Sequence, residues 1–147
     1  MTKKKMIKEN LSEQFKNKII IITGSTQGSG AETAKLLASR GAKGITICGR
    51  NEKNGKKVKS EIESLGTECI YVKADLENLK DCKKIISQTD KKFGTVNTLI
   101  NSAAYTGRGT ILSTTQKEYE KMFNVNTRAP FFLMQDVIKI MIREKVK

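Results

Sequence analysis

Histidine is absent from all 147 residues, and so is tryptophan. The first absence removes the commonest general base near neutral pH together with the commonest metal ligand. The three cysteines, Cys48, Cys69 and Cys82, are odd in number and lack C-x-x-C spacing, so free buried thiols in a reducing compartment are expected, with no metal site. Arginine is scarce. Of 28 basic residues five are arginine (Arg40, Arg50, Arg108, Arg128, Arg143), and the lysines are spread along the whole chain. A nucleic-acid surface needs a concentrated basic stripe with aromatics to stack on bases. The formal charge of +13 is therefore read as a solvated lysine-rich surface, with no nucleic-acid partner. No stretch nears the ~20 apolar residues of a membrane span. The polar start MTKKKMIKENLSEQFKNK lacks the apolar run of a signal peptide. These absences point to a soluble, cytoplasmic protein with no membrane partner.

What is present is a regular alternation. IIIIT (19–23) is β-branched and bounded by glycine, which predicts a buried strand. GAETAKLLASRG carries helix formers to a C-cap at Gly41, and GITICG (44–49) reads as a second strand. NEKNGKKVKSEIESLG sets Val58, Ile62 and Leu65 on one helical face and stops at Gly66. ECIYVKAD (68–75) is a third strand, and LKDCKKIISQTDKKFG aligns Leu79, Cys82, Ile86 and Phe93 before another glycine. VNTLINSAA (96–104) is a fourth strand. Thr115 and Glu118 then form a capping-box pattern ahead of one long helix, QKEYEKMFNVNTRAPFFLMQDVIKIMIREK. Strand and helix alternate four times, which predicts an α/β fold: a doubly wound parallel sheet of Rossmann type, truncated after the fourth strand and the long helix. We read residues 1–15 as a polar basic leader and 16–147 as one domain whose C-terminal half is missing.

The segment TGSTQGSG joins the first strand to the first helix. A glycine turn between strand and helix makes an anion site, because free N–H groups and the helix dipole point at the ligand. Gly24, Gly28 and Gly30 allow a tight turn, close approach to a pyrophosphate and close helix packing. The loop is not a P-loop, since Ala31 and Glu32 follow Gly30 where lysine and serine or threonine are needed, and its spacing is not GxGxxG.

Thr-Gly-x-x-x-Gly-x-Gly after a first strand resembles the signature of the short-chain dehydrogenase/reductase family, and four later features follow in that family's order. The resemblance covers residues 15 to 147, and it implies that Gly24, Ser25, Gln27, Gly28, Ser29 and Gly30 hold a nicotinamide dinucleotide. Arg50, twenty positions after Gly30, stands where dinucleotide folds read the adenosine ribose; arginine there pairs with a 2′-phosphate and favours NADP(H) over NAD(H). Asp75, with Leu76 after it, matches an aspartate that borders the adenine in the family. NSAA (101–104) is similar to the family's Asn-Asn-Ala-Gly: Asn101 and Ala103 match, while Ser102 and Ala104 depart. Asn126 in FNVNTRAP resembles the mid-helix asparagine of the catalytic tetrad. Pro130 lacks an N–H, so the Asn126 carbonyl four residues earlier loses its helical partner and can hold a water.

The family's chemistry is hydride transfer between nicotinamide and a carbonyl or alcohol, with a tyrosine as acid/base and a lysine four residues later lowering its pKa. A phenol ionises near pH 10 unaided, so that neighbouring charge is required. No tyrosine here has it: four places after Tyr71, Tyr105 and Tyr119 stand Asp75, Gly109 and Phe123. In the family the serine, tyrosine and lysine all lie downstream of the Asn126 helix. We therefore read the chain as the front half of such a reductase, inactive alone, whose complete form takes a small carbonyl or alcohol substrate and assembles as a dimer or tetramer. The apolar face of Phe132, Leu133, Val137, Ile140 and Met141, with an unpaired fourth strand, implies poor solubility alone. The alternative is a non-catalytic dinucleotide-binding module complete at this length.

Overall fold

The computed structural model describes residues 11–146; most of the leader and Lys147 lie outside the described residues. Four parallel strands form the sheet: β1 (Ile19–Thr23), β2 (Gly44–Gly49), β3 (Glu68–Lys73) and β4 (Thr98–Asn101), in the order β3-β2-β1-β4. Between them run α1 (Gly28–Ser39), α2 (Glu52–Ser64) and α3 (Leu79–Phe93), followed by α4 (Gln116–Phe123) and α5 (Ala129–Arg143). β1 is central because four successive isoleucines suit a strand covered on both faces. Ile20 and Ile22 pack with Ala34 and Leu37 of α1 and Val58 and Ile62 of α2. Ile21 points the other way, into a cluster with Ile85 of α3 and Leu133, Val137 and Ile140 of α5. Each fully buried isoleucine contributes about 2 kcal/mol of transfer free energy.

Buried side-chain polar groups inside this frame are paired among the described residues, save the Arg128 Nε, which has no hydrogen-bond partner. The Thr89 hydroxyl donates to the Ile85 carbonyl at 2.7 Å and meets the Thr46 hydroxyl at 2.9 Å, so α3 is tied to β2 within the core. All three cysteines are free and buried, and burial pushes the Cys48 thiol up to about 12. The helix stops follow the glycines: Gly41, Gly66 and Gly94 have φ of 85°, 87° and 72°. The capping box at Thr115 and Glu118 is present. Among the described residues no helix is long and apolar enough to cross a membrane.

Several sequence-based expectations are modified. β4 covers four residues of the nine read as strand. Leu65 follows the last turn of α2 as its C-cap and is exposed, so only Val58 and Ile62 of its expected face are buried. The long helix divides. Asn124–Arg128 winds as a π-turn, in which the Ala129 N–H donates to the carbonyl of Asn124 five residues back, and Pro130 enters α5 in its first turn. The face of α5 bearing Leu133, Val137 and Ile140 is covered by α3 and the sheet, while Phe131, Met134, Ile138 and Ile142 are exposed.

α5 is also fastened at its far end. The Arg143 guanidinium donates to both Asp90 oxygens, at 2.9 and 2.6 Å, and to the Gly94 carbonyl. This hydrogen bonding holds the Asp90 carboxyl below its ordinary value. A lowered folded-state pKa stabilises above the unfolded value, and that contribution is lost as pH falls through the folded one. Asp90→Asn is expected to destabilise by about 0.5–1 kcal/mol at pH 7, given the pair's exposure. The difference from wild type should shrink below about pH 3.9 in chemical denaturation, as the wild-type carboxylate is protonated.

Candidate functional site

A cleft of about 520 Å³ opens at the carboxyl ends of β1, β2 and β4, where ligands bind in open parallel sheets. Its floor is the β1–α1 turn. Gly24 and Gly28 have φ of 63° and 58°, a region that favours glycine. A Cβ on Gly24 would lie 2.6 Å from the Ala103 Cα, so the turn presses directly on the chain after β4. At Gly28 no atom of the described residues lies within 4 Å of that position, which leaves the backbone open to the cleft. A Cβ on Gly30 would lie 2.5 Å from the Gly24 carbonyl oxygen, so this glycine serves packing of α1 against its own turn. The first turn of α1 carries no acidic side chain that would oppose an anion at the helix start.

Thr23, at the head of the motif, is buried, and its hydroxyl accepts from the N–H groups of Ser102 and Ala103, both at 3.2 Å. This bond fixes the far wall of the cleft to β1. Ser25, like the buried Gly30, lies outside the cleft lining. It is buried, donating to the Ile22 carbonyl at 2.5 Å and accepting from the Cys48 N–H at 3.1 Å, and so ties the turn to β2. Gln27, Gly28 and Ser29 line the cleft and are exposed.

Arg50 lines the cleft at the end of β2 and among the described residues has no carboxylate partner. The nearby Glu52 is engaged with Lys56 at 2.8 Å and Lys73 at 3.7 Å. The Tyr71 hydroxyl donates to the Gly49 carbonyl at 2.9 Å, fixing the backbone just before Arg50. Asp75 and Leu76 line the cleft beyond the end of β3, the neighbour of β2 in the sheet. One Asp75 oxygen accepts from the Glu77 N–H at 3.0 Å, which holds the turn.

Ala103 lines the cleft, together with Ser102, Ala104 and Tyr105. Asn101 pairs with Thr23 in the sheet register but is exposed and outside the lining. Asn126 sits within the π-turn, also outside the lining. Its side chain donates to the Tyr105 carbonyl and accepts from the Tyr105 N–H, each at 2.8 Å. It therefore clasps the backbone of the wall segment from behind. Thr23, Thr26, Tyr105 and Lys121 escaped sequence reasoning; of these only Thr23 carried a signal, as the first residue of the glycine motif.

Comparison with known proteins agrees with this geometry. The family model for short chain dehydrogenase matches residues 18–146. An uncharacterized oxidoreductase of Thermotoga maritima is 32% identical over 130 residues, covering 88% of this chain and 51% of its own. A Burkholderia cenocepacia short chain dehydrogenase, solved in complex with NADP, superposes with a TM-score of 0.82 at 27% identity, covering 85% of this chain and 51% of that one. An NADH-dependent reductase complexed with NAD superposes with a TM-score of 0.81 at 24% identity, covering 88% and 54%. The chain spans about half the length of the curated relatives it matches. A parallel sheet in the order β3-β2-β1-β4, a threonine-led glycine turn under its cleft, and a family match over nearly every described residue leave one assignment: the chain belongs to the short-chain dehydrogenase family.

Proposed function

We propose that residues 16–147 are the cofactor-binding part of a cytoplasmic NADP(H)-dependent oxidoreductase acting on a small carbonyl or alcohol substrate. The observation that carries this reading is the cleft itself, with an open, left-handed Gly28 at the start of α1 and on its rim an Arg50 that has no carboxylate partner among the described residues. The residues fit the group. N–H groups of Gly28, Ser29 and Gly30 at the start of α1 receive the pyrophosphate, with Gln27 beside them. Arg50 pairs with a 2′-phosphate, a contact that Glu52 cannot oppose while Lys56 and Lys73 hold it. Asp75 and Leu76 border the adenine, and Ser25 supports the turn from beneath. Ala103, two residues after Asn101 at the end of β4, builds the nicotinamide-side wall, which Asn126 steadies through Tyr105 while its carbonyl orders a proton-relay water. Bound there, a nicotinamide dinucleotide supplies a hydride to, or accepts one from, the substrate carbon. The chain's own 147 residues contain no Tyr-x-x-x-Lys to move the matching proton, so the chain alone binds cofactor without turnover. The exposed Phe131, Met134, Ile138 and Ile142 support an oligomeric complete form.

The two cofactors separate the alternatives. Wild-type chain is expected to bind NADPH more tightly than NADH in a fluorescence titration, with no oxidation of NADPH by a panel of aldehydes and ketones. Arg50→Asp should weaken NADPH by about tenfold or more while sparing NADH. An unchanged preference sinks the assignment of Arg50. Steady turnover by the chain alone sinks the division of labour.

A further inference from the structure

Among the residues lining the cleft, the cations are Arg50 and Lys121 and the carboxylate is Asp75. Arg50 stands on the ribose side. Lys121 belongs to the last turn of α4, one turn before Val125, which lines the cleft on the same helical face. Its side chain is only 28% exposed, yet its ammonium is loosely held. It lies 3.9 Å from a Glu77 carboxylate oxygen and 4.6 Å from the centre of the Tyr105 ring, and among the described residues it makes no hydrogen bond. Three donors on a partly desolvated ammonium are therefore available to a ligand.

The surroundings direct that ammonium at the cleft. Glu77 follows β3 and Tyr105 follows β4, the two outer strands, so Lys121 spans the mouth between segments from opposite edges of the sheet. Both segments are themselves fixed from the π-turn: Arg128 donates to the Glu77 carbonyl at 2.7 Å, and Asn126 grips the Tyr105 backbone. Val125 packs in the cluster formed with α3 and α5, whereas the α1 residues behind the glycine turn pack in the other cluster. Lys121 thus approaches from the sheet face opposite the glycine turn.

Resting on the nucleotide reading above, we propose that Lys121 is a cofactor-contacting residue acting on the ADP portion common to NAD(H) and NADP(H). On binding, its ammonium leaves Glu77 and the Tyr105 face and donates to the diphosphate, closing over it from the side that the glycine turn leaves open. Arg50 then selects between the two cofactors, and Lys121 holds either one.

The test is calorimetric titration of the chain, carried on a solubility partner, with NADPH, NADH and ADP at low and high salt. Lys121→Met is expected to weaken all three by about five- to tenfold at low salt, and the deficit should narrow at high salt. Lys121→Arg should restore most of the affinity, and Glu77→Gln, which removes the competing carboxylate, should tighten binding. Unchanged affinity of Lys121→Met overturns the proposal, and so does a loss confined to NADPH, which would place the ammonium at the 2′-phosphate instead. Should Lys121→Met lose its cooperative melt, Lys121→Gln takes its place, and a folded glutamine variant that binds all three as tightly as wild type also overturns it. Failure of the wild-type chain to bind any of the three removes the nucleotide reading, and Lys121's role with it.

Discussion

Gly24→Val is expected to abolish nucleotide binding and to destabilise the fold by at least about 3 kcal/mol. Two costs combine. The residue has φ of 63°, where a β-branched side chain is strained by roughly 1–2 kcal/mol. Its Cβ would also stand 2.6 Å from the Ala103 Cα and 2.9 Å from the Ala103 nitrogen, both backbone atoms that cannot swing aside. The wall can retreat only by breaking the bonds from Ser102 and Ala103 to Thr23, so relief of the clash widens the cleft. Gly66→Ala is the companion measurement. Gly66 has φ of 87° but nothing within 4 Å of a Cβ, so only the backbone term of about 1 kcal/mol should appear, with binding intact. Equal losses from the two variants in thermal denaturation would refute the clash argument.

Leu133→Ala is expected to cost about 3 kcal/mol, within the range for truncating a fully buried leucine. The side chain is 1% exposed, in the cluster that joins α5 to α3 and the sheet. Its loss loosens the element from which the π-turn hangs, so the Asn126 grip on Tyr105 weakens and cofactor affinity falls along with stability. Ile138→Ala, on the same helix but 52% exposed, should change stability by no more than about 0.5 kcal/mol. A similar drop in both midpoints would mean that the outward face of α5 is covered in solution.

The parts of this fold legible in the sequence are those set by strong local signals. Four consecutive isoleucines followed by a glycine turn admit few readings other than a central strand entering a ligand loop. Gly41, Gly66 and Gly94 stop the chain's helices at the expected places because the left-handed conformation leaves little choice of residue. Leu65 is misread because periodicity continues past the turn where α2 ends, and a cap residue no longer faces inward. Ser25 lies within the motif but serves the β2 contact, since backbone direction inside a tight turn cannot be read from spacing. Lys121 carries no local signal at all: its place on the cleft follows from how α4 meets the segments after β3 and β4, a matter of tertiary packing.

The π-turn at Asn124–Arg128 holds one residue more than an ordinary turn. A helix rotates by about 100° for each residue, but the wider turn takes up the extra one locally, so α5 meets α3 with the side that an uninterrupted helix without it would present. Removing the exposed Thr127 should therefore close the turn to ordinary helix and leave Leu133, Val137 and Ile140 on α3, whereas a second added residue would swing them off by that angle. Exchanging Thr127 for another polar residue disturbs none of this. Thr127 is thus free to vary, whereas at the neighbouring positions Val125 packs in the core cluster, Asn126 holds the Tyr105 backbone and Arg128 holds the Glu77 carbonyl.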